Sequence, residues 1–412
     1  MTRRVLHLHT LDLATGSGLN TLATVRGLRA MGFDAELACG DPEGGAGERL
    51  SAVAERGGVP VFRLRHLGRR TDPLRDARAL AEIAGLVRRR GAQVVHTHNS
   101  KAGLLGRIAA RACGVPVVIH TVHGWAFEQA GSAAARGLYR ILERAAARLA
   151  HRTIVVSRAL EAAAETAAIP GGARRTVLYS GIDLEAFRTA GRDGALRSRL
   201  GADDRTFLVG QVARIWEGKG HGTLLDAFGR LRRECPRARM VIVGDGPGRI
   251  ALERRAAMTG LAPFIRFTGH REDVAAVTAQ LDAATLLSQY EGMGRVVVEA
   301  LAAGVPVVAS RVGGIGELVR EGENAFLVAP GDVGGVAAAL GRLAWDEGLR
   351  ARMAAAARTG VDARFDASRM VERIAEIYQE ALAGSRVAIP ASPLGPAPPL
   401  MATLSEGSKR CT

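Results

Sequence analysis

Aromatic residues make up only 4% of this 412-residue chain, with three Trp and four Tyr. Proteins that bind single strands stack bases on aromatic rings, so the scarcity argues against nucleic acid as the partner of its +15 net charge. Cysteine is also sparse. Cys39, Cys113, Cys235 and Cys411 lie far apart with no C-x-x-C spacing, which excludes a zinc ribbon and a disulfide framework and fits a reduced cytoplasm. No apolar run reaches the roughly 18 residues that a membrane span needs. The N-terminus, MTRRVLHLHT, has the basic start of a signal peptide without the apolar stretch that should follow. A cytoplasmic protein is expected, at most bound to the inner face of the cytoplasmic membrane. Asp-x-Asp, a spacing that can hold a divalent ion, is missing too. Lysine occurs only at Lys101, Lys219 and Lys409, so 53 of the 56 basic residues are Arg. That bias is compositional, as in a GC-rich genome, and it makes a lysine within the folded region conspicuous.

What is present is a regular alternation. Short β-rich runs such as RVLHLHT, DAELACG, QVVHTH and VPVVIHTVHG are separated by helical patterns, and the second half repeats the scheme from FLVGQVAR onward. Such alternation predicts parallel sheets built from βαβ units. The length suits two domains, and the boundary is expected between Asp183 and Arg192. Two Rossmann-like sheets imply a cleft between them, with ligands at the carboxyl ends of the strands. From Ala383 the chain becomes rich in Pro and Ser, and disorder is expected over 383–412.

Four groups of residues could carry chemistry in that cleft. Gly16, Ser17 and Gly18 follow the first strand, where backbone N–H groups could meet an anion, although a plain tight turn needs the same residues. Arg214 and Lys219 lie just past a strand and at a helix start. A guanidinium fork and an ammonium at that spacing can hold a diphosphate, or they can serve ordinary salt bridges. Glu291 is expected at the mouth of a helix starting near Gly292 to Arg295, and Glu299 over a turn inside. They could accept sugar and ribose hydroxyls, with Arg214 and Lys219 offsetting their charge, or they could be a cap and a solvated side chain. His7 and His9, like His96 and His98, alternate on strands and so share a face. Histidines in a polar cleft explain them better than a metal site does, because no carboxylate cluster accompanies them.

Taken together, VVHTHNSKAGLLGRIAA, VHGWAF, LYSGID, GQVARIWEGKG, VIVGDGP, FTGHREDV and YEGMGRVVVEALAAGVPVVAS, the last an E-x7-E motif, resemble the family-4 retaining glycosyltransferases of the GT-B fold. The resemblance reaches to about Leu382. It implies an α/β fold with an acceptor-binding domain over 1–186, a nucleotide-sugar-binding domain over 187–364, and a C-terminal helix over 365–382 that returns to the first domain. It also implies transfer of a sugar from a UDP- or GDP-sugar to a saccharide or lipid-linked acceptor, with retention and without a metal or other cofactor. Carried onto this chain, Glu291 would contact the donor sugar and Glu299 the ribose, with Gly292, Met293, Gly294 and Arg295 completing the motif. Arg214 and Lys219 would hold the diphosphate, and Gly16 to Gly18 would close over it. His123 would lie near the anomeric carbon, and Gly244 and the backbone from Thr268 to His270 near the base. Asn99, Lys101 and Trp125 would line the acceptor side. Met293 stands where the family often has Phe, and Ser180 where it usually has Asn. A sugar-nucleotide epimerase or an inactive scaffold could share the fold. The full set of Glu291, Glu299, Arg214, Lys219 and His123 argues against a scaffold.

Arg136, Arg140, Arg144 and Arg148 recur every four residues on one expected helix, and RLRHLGRR over Arg63–Arg70 adds charge to the same half. Such a row could lie on an anionic membrane, or could be a solvated face of an Arg-rich protein.

Overall fold

The computed structural model describes residues 3–42 and 47–385. Two all-parallel sheets form its frame. The first contains β1 (Arg4–His9), β2 (Asp34–Cys39), β3 (Val61–Arg63), β4 (Val94–His98), β5 (Val117–Val122), β6 (Arg152–Val155) and β7 (Arg175–Val177), in the order β3-β2-β1-β4-β5-β6-β7. The second contains β8 (Phe207–Val212), β9 (Ala238–Val243), β10 (Ile265–Gly269), β11 (Ala283–Leu286), β12 (Val307–Ser310) and β13 (Ala325–Val328), in the order β10-β9-β8-β11-β12-β13. Every residue of β4, β5, β11 and β12 is buried. Central parallel strands are covered by helices on both faces, so even the polar His96, Thr97, His98, His120 and Thr121 of β4 and β5 are buried. In each sheet the strand order reverses once, at β1/β4 and at β8/β11, and the crevice outside such a reversal is where α/β sheets bind ligands.

The first helix runs over Gly16–Ala30, so Gly16-Ser17-Gly18 is its opening turn and not a separate tight turn after the strand. Close packing explains the difference: a Cβ at position 18 would lie 2.5 Å from the Leu13 carbonyl oxygen. The helix Ala367–Gly384 crosses back to the first sheet. Met370, Val371, Ile374, Ile377 and Tyr378 are buried in one cluster with Val5, Leu22 and Val25. Burial of each large apolar side chain is worth about 1.5–3 kcal/mol, which anchors this helix to the N-terminal half. Where the chain crosses between halves the two passages run side by side, Ile182 N donating to Phe365 O and Ala367 N to Ile182 O. The tail expected to be disordered lies, from 386 onward, outside the described residues.

The halves enclose a cleft of about 1480 Å³. Several contacts cross it: His270 Nε2 lies 2.9 Å from Glu48 Oε2, Arg56 pairs with Glu272 at 2.9 Å, and Ser157 Oγ donates to Gly292 O at 2.7 Å.

Candidate active site

The C-terminal wall brings Arg214, Lys219, Glu291, Arg295 and Glu299 to the cleft. Arg214 follows β8 and reaches the cleft with no carboxylate partner among the described residues, and its buried Nε has no acceptor. Burial, then the like charge of Arg69, pulls its pKa down. Arg69 also lines the cleft, on the loop after β3. Two guanidiniums brought together without a carboxylate on Arg214 make a site for an anion with two negative centres. In the sequence Arg69 was one arginine among many in RLRHLGRR. Only the fold singles it out.

Lys219 ends a short 3-10 turn, Glu217–Lys219. Gly220 then turns at φ 70°, where a Cβ would strike the Leu287 carbonyl oxygen, and the helix His221–Glu234 follows. Lys219 Nζ lies 2.5 Å from Glu291 Oε1, which also accepts from Ser288 Oγ at 2.7 Å. This half-buried pair fixes both groups at the lip of the cleft. Glu299 sits one turn inside the helix Arg295–Ala302, almost wholly buried. Burial raises its pKa, against the attraction of Arg295, whose Nη2 lies 3.4 Å from Glu299 Oε1. The expected charge balance thus holds for Glu291 and Lys219, whereas Glu299 pairs with Arg295 and not with Arg214. Arg295 also donates across the cleft to Gly16 O at 3.2 Å.

Gly292 has to be glycine, because a Cβ would lie 2.0 Å from the His123 carbonyl oxygen of the other half. Met293 is buried, and its sulfur accepts from Ser180 N at 3.1 Å. Gly294 (φ 97°), Gly244 and His270 line the cleft. Thr268 does not. Its hydroxyl turns onto the backbone, donating to Gly269 O at 3.0 Å, and the residue borders a separate hollow with Arg199 and Arg266.

The N-terminal wall also brings charged groups to the cleft, among them Arg26, Glu48, Arg56, Arg69, Asp76 and Lys101, but His9, Asn99 and His123 at its strand ends are uncharged near neutral pH. Gly16 and Ser17 line the cleft, while Gly18 packs beneath it. His9 Nδ1 lies 2.8 Å from Leu11 O, so this nitrogen donates and Nε2 is left to accept from Ser17 Oγ at 3.2 Å. Asn99 holds φ 63° and ψ 166°, a region that side chains other than glycine's rarely occupy, and its buried Oδ1 has no donor. Lys101 lines the cleft but is held by Asp76 at 2.8 Å and by the Arg70 carbonyl. Trp125 is a correction. It is 2% exposed, stacks on Phe127 and donates to Leu160 O at 2.9 Å, so it belongs to the core and not to the acceptor side. An indole in a loop motif reads alike in sequence whether it faces ligand or core.

His123 lines the cleft, with its pKa lowered to about 3, first by burial and then by the neighbouring His9 and the charge of Arg295. Behind it the register pairs His7 with His96 and His9 with His98. His7, His96 and His98 were expected in a polar cleft, yet they are buried beneath it, with ligand atoms within 4.8 Å of one another. All six of their ring nitrogens lie within hydrogen-bonding distance of protein groups.

The arginine row also differs from expectation. On the helix Ala133–Ala147, Arg144 Nε donates to Ala167 O at 2.8 Å, and Arg140 lies over the Phe127 ring at 5.6 Å. Half the row is folded onto its own domain. Leu138 and Ile141 of the same helix, 55% and 62% exposed, face outward instead, and Leu138 borders the cleft. No helix of the described residues is long and apolar enough to cross a membrane.

Comparison with known proteins agrees with this geometry. Residues 15–181 match the glycosyl transferase 4-like domain, and residues 206–346 match the glycosyl transferases group 1 family. The chain is 30% identical over 324 residues to an Escherichia coli UDP-Gal:alpha-D-GlcNAc-diphosphoundecaprenol alpha-1,3-galactosyltransferase, covering 78% of this chain and 84% of that protein. It is 32% identical over 317 residues to a D-inositol 3-phosphate glycosyltransferase of Salinispora arenicola, covering 70% and 69%. Among solved structures, Anabaena HepE in complex with UDP-glucose superposes with a TM-score of 0.76 at 25% identity, covering 91% of this chain and 99% of that one. The chain belongs to the family-4-type glycosyltransferases of the GT-B fold and transfers a sugar from a nucleotide-sugar donor.

Proposed function

We propose that this enzyme is a retaining, metal-independent hexosyltransferase that uses a UDP-sugar and a lipid-diphosphate-linked saccharide acceptor. The observation that carries the proposal is the cationic corner of Arg214, Arg69 and Lys219 facing Glu291 and Glu299 across the carboxyl ends of β8 and β11. Arg214, Arg69 and Lys219 take the diphosphate, with the opening amides of the helix Gly16–Ala30 closing over it from the other half. Glu299 accepts the ribose hydroxyls and Glu291 the hexose hydroxyls. Gly244 and the backbone by His270 face the base, and His123 hydrogen-bonds the hexose near its anomeric carbon. The choice of UDP is supported by the printed substrate of the E. coli relative and the ligand of HepE.

In the reaction, the acceptor hydroxyl approaches the anomeric carbon on the face from which the diphosphate departs. The bond from that carbon to the phosphate oxygen breaks with its electron pair going to the β-phosphate. That oxygen takes the acceptor's proton as the new glycosidic bond forms. The cations and helix amides stabilise the charge that develops on the departing group. They supply the positive charge that a divalent ion provides elsewhere, consistent with a sequence that has no Asp-x-Asp pair.

Asn99 and Lys101 take the acceptor's polar part on the N-terminal wall. Leu138 and Ile141, flanked by Arg136 and Arg148, meet an anionic membrane surface at the cytoplasmic face and bring the lipid tail to the cleft mouth. Transfer assays with UDP-hexoses and polyprenyl-diphosphate-linked saccharides in EDTA test this reading. An α-linked product with anionic-vesicle cosedimentation is expected. A β-linked product, or abolition of turnover by EDTA, would contradict it.

A further inference from the structure

A continuous line of hydrogen-bonding groups runs under the N-terminal wall, from β5 through the C-terminal helix to the cleft. Thr121 Oγ1 lies 2.7 Å from His96 Nε2, and His96 Nδ1 lies 2.5 Å from the Tyr378 hydroxyl. That hydroxyl is 3.3 Å from His7 Nε2, and His7 Nδ1 is 3.0 Å from His98 Nε2. His98 Nδ1 is 3.3 Å from His123 Nε2. Every member except His123 is buried, and the rings of His98 and His123 stack with centroids 5.5 Å apart. Burial keeps all four imidazoles uncharged near neutral pH.

An uncharged imidazole has one N–H donor and one bare acceptor, and a phenol has one proton. A line of such groups is fully satisfied in only two settings, one with every proton pointing toward His123 and one with every proton pointing away. The far end discriminates between them. When the protons point away, His96 Nε2–H donates to Thr121, whose own hydroxyl hydrogen then has no acceptor among the hydrogen bonds of the described residues. An unmade buried hydrogen bond is costly, so the toward setting is favoured. In it Thr121 donates to His96, His96 to Tyr378, Tyr378 to His7, His7 to His98, and His98 to His123 Nε2. The proton of His123 then resides on Nδ1, the one ring nitrogen left for a ligand.

We propose that His98, His7, Tyr378, His96 and Thr121 are positioning residues that hold His123 in its Nδ1–H tautomer, so that the cleft meets it as a hydrogen-bond donor to a sugar oxygen. The proposal rests, for its effect on turnover, on the reading above that His123 contacts the donor hexose. It also gives the returning C-terminal helix a part in the active site through Tyr378, which comes no nearer the cleft than His7 and His96.

The test uses full-length protein labelled with 15N-histidine, with long-range 1H–15N correlation spectra that distinguish Nδ1–H from Nε2–H rings. His123 signals are assigned by their loss in His123→Gln. The wild type is expected to show the Nδ1–H form of His123. Tyr378→Phe, which cuts the line but keeps the ring packed on Phe33, and Thr121→Val, which removes its terminal donor, are each expected to give a mixture of tautomers. The kcat should fall about tenfold, one hydrogen bond's worth, with the donor KM within about twofold of wild type. Thr121→Val serves alone if Tyr378→Phe does not fold. An Nε2–H ring in the wild type, or an Nδ1–H ring that persists unmixed in the variants, would overturn the proposal. Tautomers that mix while kcat stays at the wild-type value would uphold the line and overturn the reading of His123 as a sugar contact.

Discussion

At the β1/β4 reversal of the N-terminal sheet the cleft-facing His9 lies over a buried layer of His7, His96 and His98. At the matching β8/β11 reversal of the C-terminal sheet the chain places Arg214, Lys219, Glu291 and Glu299. The two sheets share one strand order, and their ligand-facing ends carry opposite chemistry. On the proposed reading the diphosphate meets full charges, and the C-terminal wall offers Arg214, which has no carboxylate partner among the described residues, and Lys219, which Glu291 holds in place. On the same reading the sugar being transferred meets uncharged hydrogen-bonding groups, and His9, Asn99 and His123 of the N-terminal wall are such groups. Fold fixes where the ligands meet, while the side chains at the reversal decide which half holds which part.

Substitutions can break this division, and the largest effect is expected at its charged pole. Lys219→Ala and Glu291→Ala should each lower kcat/KM by about 10²–10³-fold, the scale of losing one preorganised transition-state contact. The melting temperature should stay nearly unchanged, since the pair sits at the cleft lip. Next in size, Arg69→Ala should weaken UDP binding about tenfold, as loss of a charge-assisted contact would, measured by calorimetry. Unchanged affinity would return Arg69 to the general surface charge.

The neutral pole should be revealed by pH. The pKa values of His7 and His123 are lowered to about 3 and that of His9 to about 4, against 6.5 when unfolded. The unfolded chain therefore binds more protons between these values, and stability is full above pH 6.5 and falls as the pH drops below it. Each such histidine should contribute about 1.4 kcal/mol per pH unit in that window. Urea unfolding at pH 7.5 and 5.0 is expected to show a marked loss at the lower pH, and equal stabilities would contradict the buried neutral layer. A smaller effect is expected from Trp125→Phe, which removes one buried hydrogen bond and some packing and should cost about 1–3 kcal/mol of stability with turnover per folded molecule retained. Smallest of all in stability, Leu138→Glu should shift it by about 0.5 kcal/mol or less while reducing vesicle cosedimentation.

Much of this was legible in the sequence because it is local. Parallel strands show as apolar runs, and Arg214, Lys219, Glu291 and Glu299 each stand beside a strand end or helix start that the pattern reveals. What escaped depends on which side chains the fold brings together. Arg69 is separated from Arg214 by most of the N-terminal half, and its proposed place at the diphosphate follows only from their shared corner. Trp125 faces the core because the backbone of its loop turns it toward Leu160, and Thr268 faces its own backbone for a similar reason. The row from Arg136 to Arg148 has the right period for an exposed face, but Ala167 and Phe127 supply partners that no local pattern announces. The histidines read as pairs on two strands. The register of β1 on β4, with Tyr378 arriving from the far end of the chain, makes them a line.

The most direct test of the account is thermal stabilisation by nucleoside diphosphates in EDTA, compared among wild type, Arg214→Ala and Glu299→Ala. UDP and UDP-hexoses are expected to raise the wild-type melting temperature more than GDP or ADP do, and the gain is expected to be lost in both variants. No stabilisation by any diphosphate, or a UDP-induced gain that survives both substitutions, would contradict the account.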